Sequence, residues 1–146
     1  MINSYTVSKA LFDQISDYQA VKDLDPILCH GEFVGVDPSR TPWIGVFRDN
    51  MRLEPYSLGH NQWKHFLTFK VVVQAASLDS GEDCMKLLDE AVKETNAAIL
   101  SDLTFGGAVL MTTLSNVEFN YVESDRESLY YQSAIITVNC EGRSDV

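Results

Sequence analysis

The fold is decided by residues 63–100, which read WKHFLTFKVVVQAASLDSGEDCMKLLDEAVKETNAAIL. In the first part of this stretch, the odd-numbered positions from Trp63 to Ala75 are mainly apolar, whereas the even-numbered positions from Lys64 to Ala76 are mainly polar. Successive side chains of a β-strand point to opposite faces of its sheet. The alternation therefore predicts a strand with one buried face and one largely solvated face.

The second part of the stretch has a different period. Between Cys84 and Ile99, apolar residues recur at spacings of three and four, which is typical of one face of an α-helix. Ser80, followed three residues later by Asp83, resembles a capping box, and an acidic first turn suits the helix dipole. We therefore predict a helix over residues 81–100. A one-sided strand followed by a long amphipathic helix is typical of a two-layer domain that combines α and β structure.

The same periodicities predict the other elements. In chain order they begin with a helix over about 6–21, no strong element over 24–42 apart from a short extended piece at 32–36, and a short strand at 43–47. Residues 48–61 are an irregular span or a long hairpin arm that returns into the strand at Trp63. Strand regions at 108–122 and 129–140 follow, joined by a charged hairpin tip at 123–128, and a frayed tail is expected at 141–146. Val117, Phe119 and Tyr121 form the apolar side of a half-buried strand, and the broken parity before them predicts a β-bulge.

Together these elements predict a single α+β domain over residues 1–146. The expected architecture is a two-layer sandwich, in which a mainly antiparallel sheet of about four strands packs against two helices in the order α-β-β-α-β-β.

The acidic composition restricts the possible partners. The 146 residues carry a formal net charge of −10, whereas a protein that reads nucleic acid needs a basic surface that neutralises phosphates. We therefore exclude a nucleic-acid reader. Two explanations of the charge remain equally open: solubility alone, or a surface that must not adhere to DNA that passes close by.

The cysteines and the apolar runs indicate the compartment. Cys29, Cys84 and Cys140 are odd in number and far apart, which predicts reduced thiols in a cytosolic protein. The first ten residues lack the basic start and apolar run of a signal peptide, and no run approaches the ~18 apolar residues of a membrane span. We expect a protein that is made and used in a cytoplasm, without contact with a membrane.

No arrangement of side chains in the sequence indicates catalysis. His60 and His65 are expected on opposite faces of an extended segment, and His65 shares the apolar parity of its strand, which favours a core or interface histidine over a metal ligand. Cys29 and His30 are neighbours, but nucleophilic catalysis needs a spatial pairing and an orienting third group. We therefore expect no enzymatic activity, no cofactor and no metal.

The order of the elements resembles the tail terminator, or tail completion, proteins of long-tailed bacteriophages of the lambda-like and related siphophage groups. The resemblance covers residues 7–140. Its parts are an N-terminal amphipathic helix, a Pro- and Gly-rich loop, the strand at 43–47, a long arm, the run Val71-Val72-Val73-Gln74, the helix that starts at Gly81-Glu82-Asp83, and a closing hairpin that ends in Ile135-Ile136-Thr137-Val138.

The resemblance implies a structural virion protein that is assembled in the host cytoplasm and lies at the head-proximal end of the tail. Proteins of this kind form a hexameric ring that caps the tail tube, ends its polymerisation and offers a surface to the head–tail connector or neck protein. DNA passes through the lumen of the ring without specific binding, and an acidic subunit suits that passage.

A ring of this kind needs two different contact patches on each subunit. Opposite charges on the long arm and on the hairpin tip motivate a pairing between them. The interface candidates are Trp43, Arg48, Arg52 and Tyr56 on or beside the arm, and Asp125, Arg126 and Glu127 at the tip. Large side chains on both faces of the predicted sheet have two equally open explanations, contact with another subunit or cover by the long loops.

Two alternative functions remain open. A phage neck or head-completion ring protein would be similar in size and would also form rings. A small cytosolic ligand-binding or enzymatic α+β domain would have Cys29 and His30 as its most chemical feature. A reactive Cys29 thiol of low pKa would favour the enzymatic alternative, and inert thiols would favour a structural role.

Overall fold

The computed structural model describes residues 2–31, 42–55, 62–122 and 129–145. Its elements, in chain order, are α1 (Ser4–Asp17), α2 (Gln19–Asp23), β1 (Ile27–His30), β2 (Trp43–Pro55), β3 (Gln62–Ser77), α3 (Gly81–Leu100), β4 (Met111–Val122) and β5 (Tyr130–Asp145). The strands form one sheet in the order β1-β2-β3-β5-β4. β1 is parallel to β2, and the other neighbouring pairs are antiparallel.

The strand and the helix predicted from residues 63–100 are both present. Ser80 caps α3, because its hydroxyl oxygen accepts a hydrogen bond from the backbone N–H of Asp83 at 3.0 Å. The odd-numbered side chains of β3 from His65 to Ala75 are buried as expected, whereas Trp63 is half-buried; the buried ones are His65, Leu67, Phe69, Val71, Val73 and Ala75. Together with α3, β3 forms the centre of the domain.

The hydrophobic core lies between the helices and one face of the sheet. α3 packs mainly on β3 and β5, and α1 packs on β2 and against α3. From the helices, the core receives Val7, Leu11 and Ile15 of α1 and Cys84, Leu88, Ala91, Val92, Ala98 and Ile99 of α3. Burial of these apolar faces against one sheet face gives the two-layer α+β arrangement.

The sheet has five strands and is mixed, and the helices number three among the described residues, so the predicted layout of about four strands and two helices is corrected. The added strand, β1, is only four residues long, and this is too short for an alternation to be recognised. The predicted first helix is divided at Tyr18, whose backbone is extended with φ −71° and ψ 124°. The short extended piece predicted at 32–36 lies outside the described residues.

Two strands are longer than predicted. β2 continues to Pro55, and its antiparallel ladder with β3 reaches the pair Pro55 and Trp63. Residues 48–55 are therefore the outgoing strand of the predicted hairpin arm and not an irregular span. Residues 48–53 are exposed on both faces of the sheet. A strand without a buried face needs no alternation of apolar and polar residues, so the sequence carries no strand signal there. β5 continues to Asp145 where a frayed tail was predicted, because the backbone of β3 provides it with a pairing partner.

Two β-bulges lie in the same cross-strand row of the sheet. The register of β2 shifts between Arg48 and Asn50, and that of β4 shifts between Leu114 and Asn116. Arg48 and Leu114 both belong to the row that passes through Phe69. An extra residue bends its strand and increases the local twist. The bulge predicted in β4 is confirmed, immediately after Leu114.

Candidate subunit interface

One half of the sheet face opposite the helices is polar and carries an open cleft of about 470 Å³. Neighbouring strands supply its lining, and the residues that line it are Asn50, Arg52, Phe66, Leu67, Thr68, Met111, Thr113, Asn139, Cys140 and Glu141. On its floor, the Thr68 hydroxyl donates a hydrogen bond to Oδ1 of Asn139 at 3.3 Å. Next to the cleft, Nζ of Lys70 donates to the Thr137 hydroxyl at 2.8 Å. This half, defined by the cleft residues, is named the polar face.

Arg52 is an exposed cation of the polar face. Its guanidinium lies over the ring of Phe66, with Cζ 4.7 Å from the ring centroid, and its Nη2 is 3.4 Å from Oε1 of Glu54. The Arg52 side chain is nevertheless 65% exposed, and exposed ion pairs of this kind contribute little to stability. Arg52 is therefore accessible to a partner at small cost.

The structure separates the two arginines that were predicted to form one patch. Arg48 lies on the helix side of the sheet, where its Nη1 donates a hydrogen bond to the Ser4 hydroxyl at 3.3 Å. Arg52 lies on the polar face, because the bulge at Asp49 changes the parity between the two residues. A second, shallower hollow of about 330 Å³ lies beside Arg48 and Ser4.

The other predicted interface residues are either buried or outside the described part of the chain. Trp43 is wholly buried, with its ring stacked on Phe47 at a centroid distance of 6.2 Å, so it offers no surface to a partner. The remaining candidates lie outside the described residues, and their roles stay predictions; they are Tyr56, Asp125, Arg126 and Glu127.

The structure exposes large apolar side chains that are not among the predicted interface residues. Met51 and Leu53 on β2 are 40% and 37% exposed, and Phe119 on β4 is 58% exposed. Phe119 follows the apolar parity of Val117, which predicted partial burial. It is exposed because α3 packs on β3 and β5 rather than on the outer strand β4. No local pattern reveals that a strand will lie at the edge of the sheet.

His30 is part of the packing between α1 and β1. Its Nε2 is 2.9 Å from the Ser8 hydroxyl, and its ring stacks on Phe12 at a centroid distance of 5.4 Å. Cys29 precedes it in the same strand, and neighbouring strand residues point to opposite faces. The two side chains considered as a catalytic pair are therefore directed apart. His65 is wholly buried, which confirms its prediction as a core histidine, and His60 lies outside the described residues.

We expect the free energy of unfolding to fall as the pH drops below about 6.5. Burial lowers the pKa of His30 and that of His65 from the ordinary value of 6.5. As the pH falls, these histidines are therefore protonated in the unfolded chain before they are protonated in the folded protein. Stability present at neutral pH is lost as the pH drops from the histidine pKa of the unfolded chain to that of the folded protein. Urea unfolding at pH values from about 7.5 to about 5 measures this slope.

A matched variant for the pH experiment is His30→Gln, which keeps a hydrogen-bonding side chain next to Ser8 but cannot titrate. The slope of stability against pH should decrease in this variant. A stability that is constant over the same pH range in the unmodified protein would contradict the prediction.

Cys84 and Cys140 are expected to be inert toward thiol reagents in the folded protein. Burial raises the pKa of the Cys84 thiol and raises that of Cys140 to about 11, and the thiolate is the reactive form. Sγ of Cys84 also donates to the carbonyl oxygen of Ala75 at 3.4 Å. Alkylation at about pH 8, read by peptide mass spectrometry, should modify neither residue before denaturant is added. Rapid modification of either in the native protein would refute this expectation.

Within residues 2–31, 42–55, 62–122 and 129–145, no three His, Cys, Asp or Glu side chains are placed to hold a metal ion. The helices in this described part of the chain are too short or too polar to cross a membrane.

No protein-family model matches this chain, and no curated protein matches it. Among solved structures, the chain is similar to a chain of the structure described as "Virion of native gene transfer agent (GTA) particle". The two chains are 11% identical with a TM-score of 0.49, and the alignment covers 93% of this chain and 95% of that chain.

Proposed function

We propose that this chain is a structural virion subunit of a long-tailed bacteriophage, of the tail terminator type. In this role it forms a hexameric ring that caps the tail tube, ends tail polymerisation and provides the surface to which the head–tail connector or neck protein attaches. The role is non-enzymatic and places the protein at the head-proximal end of the tail.

The observation that carries this proposal is the incomplete cover of the sheet. The helices pack on its central strands, while β4 and the distal half of β2 carry exposed apolar side chains at opposite edges, namely Met51, Leu53 and Phe119. Exposed apolar groups at two separate edges suit a subunit that contacts its two neighbours through different patches. A closed ring of identical subunits requires this kind of contact.

The charge distribution and the order of the elements support the same role. The net charge is −10, and α3 presents exposed carboxylates at Glu82, Asp89 and Glu90. An acidic ring repels the DNA phosphates, so DNA can slide through it without adhering. The one-sided strand β3, the helix α3 and the closing hairpin of β4 and β5 keep the order on which the resemblance to tail terminators rests.

The test combines the oligomeric state with the ability to cap tail tubes. Native mass spectrometry over a concentration series should give a hexamer, or a monomer that assembles only on a tube end. Purified tail tubes mixed with the protein should show a ring at one end in electron micrographs, and they should no longer elongate when tube protein is added. An acidic protein of similar size serves as the control.

Absence of both capping and arrest of elongation would overturn the tail terminator role. Rings that bind isolated head connectors but not tube ends would instead indicate a neck or head-completion protein.

A further inference from the structure

Two strand edges lack a neighbouring strand among the described residues. Among the described strands, β1 pairs with the first part of β2, from Trp43 to Val46, and the rest of β2 borders β3 alone. At the opposite side of the sheet, β5 is the one described strand that borders β4. Proline, lysine and other charged residues commonly prevent pairing at the edge of a sheet. From Met111 to Asn120, β4 contains no proline and no lysine, and its single charged residue is Glu118. Both edges can therefore accept a further strand.

The directions of the two edges are compatible with pairing between rotated copies. β2 and β4 are separated by β3 and β5, and each of the three successive pairs is antiparallel. β4 is therefore antiparallel to β2. Rotation about a ring axis does not invert the strands relative to that axis, so β2 runs in the same sense in every copy. The β2 strand of one copy would therefore meet β4 of the next as an antiparallel partner.

One register matches the side chains of the two edges. It places Arg52 of one copy opposite Glu118 of the next, and both residues belong to rows on the sheet face opposite the helices. The same register places Met51 opposite Phe119 and Leu53 opposite Val117, all on the helix side. Opposite charges and large apolar groups that face each other across strands are stabilising. This pairing covers the exposed apolar side chains of Met51, Leu53 and Phe119, whereas Met111 stays outside it.

Neighbouring registers lack this match. A shift of one residue places Arg52 opposite an apolar residue that belongs to the other face. A shift of two residues in one direction sets Glu54 against Glu118, which is a repulsive pair. The shift of two in the other direction leaves Arg52 opposite Asn116 and Leu53 opposite Ser115.

We infer that β4 of one copy of this chain pairs antiparallel with residues 50–54 of β2 in the next copy, with Arg52 opposite Glu118. The sheet then continues from subunit to subunit around the ring. This inference rests on the proposed ring and specifies its contact. Within one copy, the cross-strand row of Arg52 reaches β4 at Met111, seven residues before Glu118. Pairing of Arg52 with Glu118 of the next copy therefore shifts the register along the strands from copy to copy. A closed sheet accommodates such a shift by tilting its strands relative to the ring axis.

Cysteine crosslinking tests the register. Purified Met51→Cys and Phe119→Cys variants are mixed and oxidised, because directly opposite residues in paired strands are close enough for a disulfide or a short bismaleimide. A crosslinked dimer should form in the mixture and in neither variant alone, and the double variant should give a ladder of oligomers. Met85→Cys on α3, also exposed, mixed with Phe119→Cys is the matched control and should not crosslink. The native cysteines are buried.

The outcomes separate the contact from the proposed function. Crosslinking of Phe119→Cys with itself would indicate a two-fold β4–β4 contact and overturn the inference. Rings or capped tubes that form without a Met51–Phe119 crosslink would overturn it as well, while the tail terminator role would stand. A ladder of crosslinked oligomers from a protein that never caps tubes would support the contact between β4 and β2 and would refute the tail terminator role. If the protein is monomeric in solution, the crosslinking is done on tube ends.

A charge exchange tests the central pair. Arg52→Glu and Glu118→Arg should each weaken assembly about fivefold or more per contact, and the double exchange should restore it. Lys93→Glu and Glu90→Lys, which change exposed charges on α3, should have little effect. A double variant that assembles no better than either single variant would overturn the pairing of Arg52 with Glu118.

Discussion

Replacement of Phe69 by alanine is expected to lower the free energy of unfolding by about 3–5 kcal/mol. Phe69 is 1% exposed at the centre of β3, in the row of Val138 and beneath the helices. The substitution removes the ring from the core and leaves a cavity that close-packed neighbours fill only in part. Urea unfolding at neutral pH, followed by circular dichroism, measures the loss.

Phe119→Ala is the matched control, because it makes the same chemical change on the same side of the sheet at a residue that is 58% exposed. Its stability as a monomer should change by less than about 0.5 kcal/mol. If the inferred edge contact exists, the same variant should assemble poorly although it folds normally. Equal losses of stability in the two variants would show that the assignment of core and edge is wrong.

Gly45→Ala is expected to destabilise the protein by about 1–3 kcal/mol, although it adds only one methyl group. A Cβ at position 45 would lie 2.5 Å from Cη2 of Trp43 and 2.8 Å from Cε2 of Phe47. The two rings stack across this glycine, and Trp43 is wholly buried, so it cannot move aside without a change in its surroundings. Thermal unfolding followed by circular dichroism measures the loss of stability.

Gly81→Ala serves as the control for the glycine experiment. A Cβ at position 81 has Tyr130 Cδ1 at 3.7 Å as its nearest neighbour, which is an ordinary contact, and the residue opens α3. Alanine there should leave the stability unchanged or raise it by up to about 1 kcal/mol. A Gly45→Ala variant that is as stable as Gly81→Ala would exclude tight packing of the two rings over Gly45.

The central strand and helix could be predicted because each carries a local signal. β3 buries one side along its whole middle, so its sequence alternates, and α3 buries one stripe and starts at a serine cap. β1 could not be predicted, because four residues carry no period and its pairing with β2 is a tertiary contact. The sequence left the distal part of β2 open between an irregular span and a hairpin arm, because a segment exposed on both faces carries no alternation and its strand form depends on hydrogen bonding to β3.

The interface candidates divide in the same way. The sequence identified Arg52 as a cation on a long arm, but the parity change that turns it away from Arg48 depends on a bulge, which is a property of the ladder with β3. Trp43 is equally prominent in the sequence and is buried by the fold. Phe119 follows the pattern of a half-buried strand, and only the position of β4 outside the helix layer exposes it.

The acidic charge, the one-sided strand β3, the capped helix α3 and the α+β class could be predicted, because they follow from composition and from periods within a single element. The five-stranded order, the aligned bulges and the two edges with complementary side chains could not be predicted and are known from the folded structure. These features depend on which strands become neighbours. That choice is made by backbone pairing and core packing between residues far apart in the chain, and no local pattern encodes it.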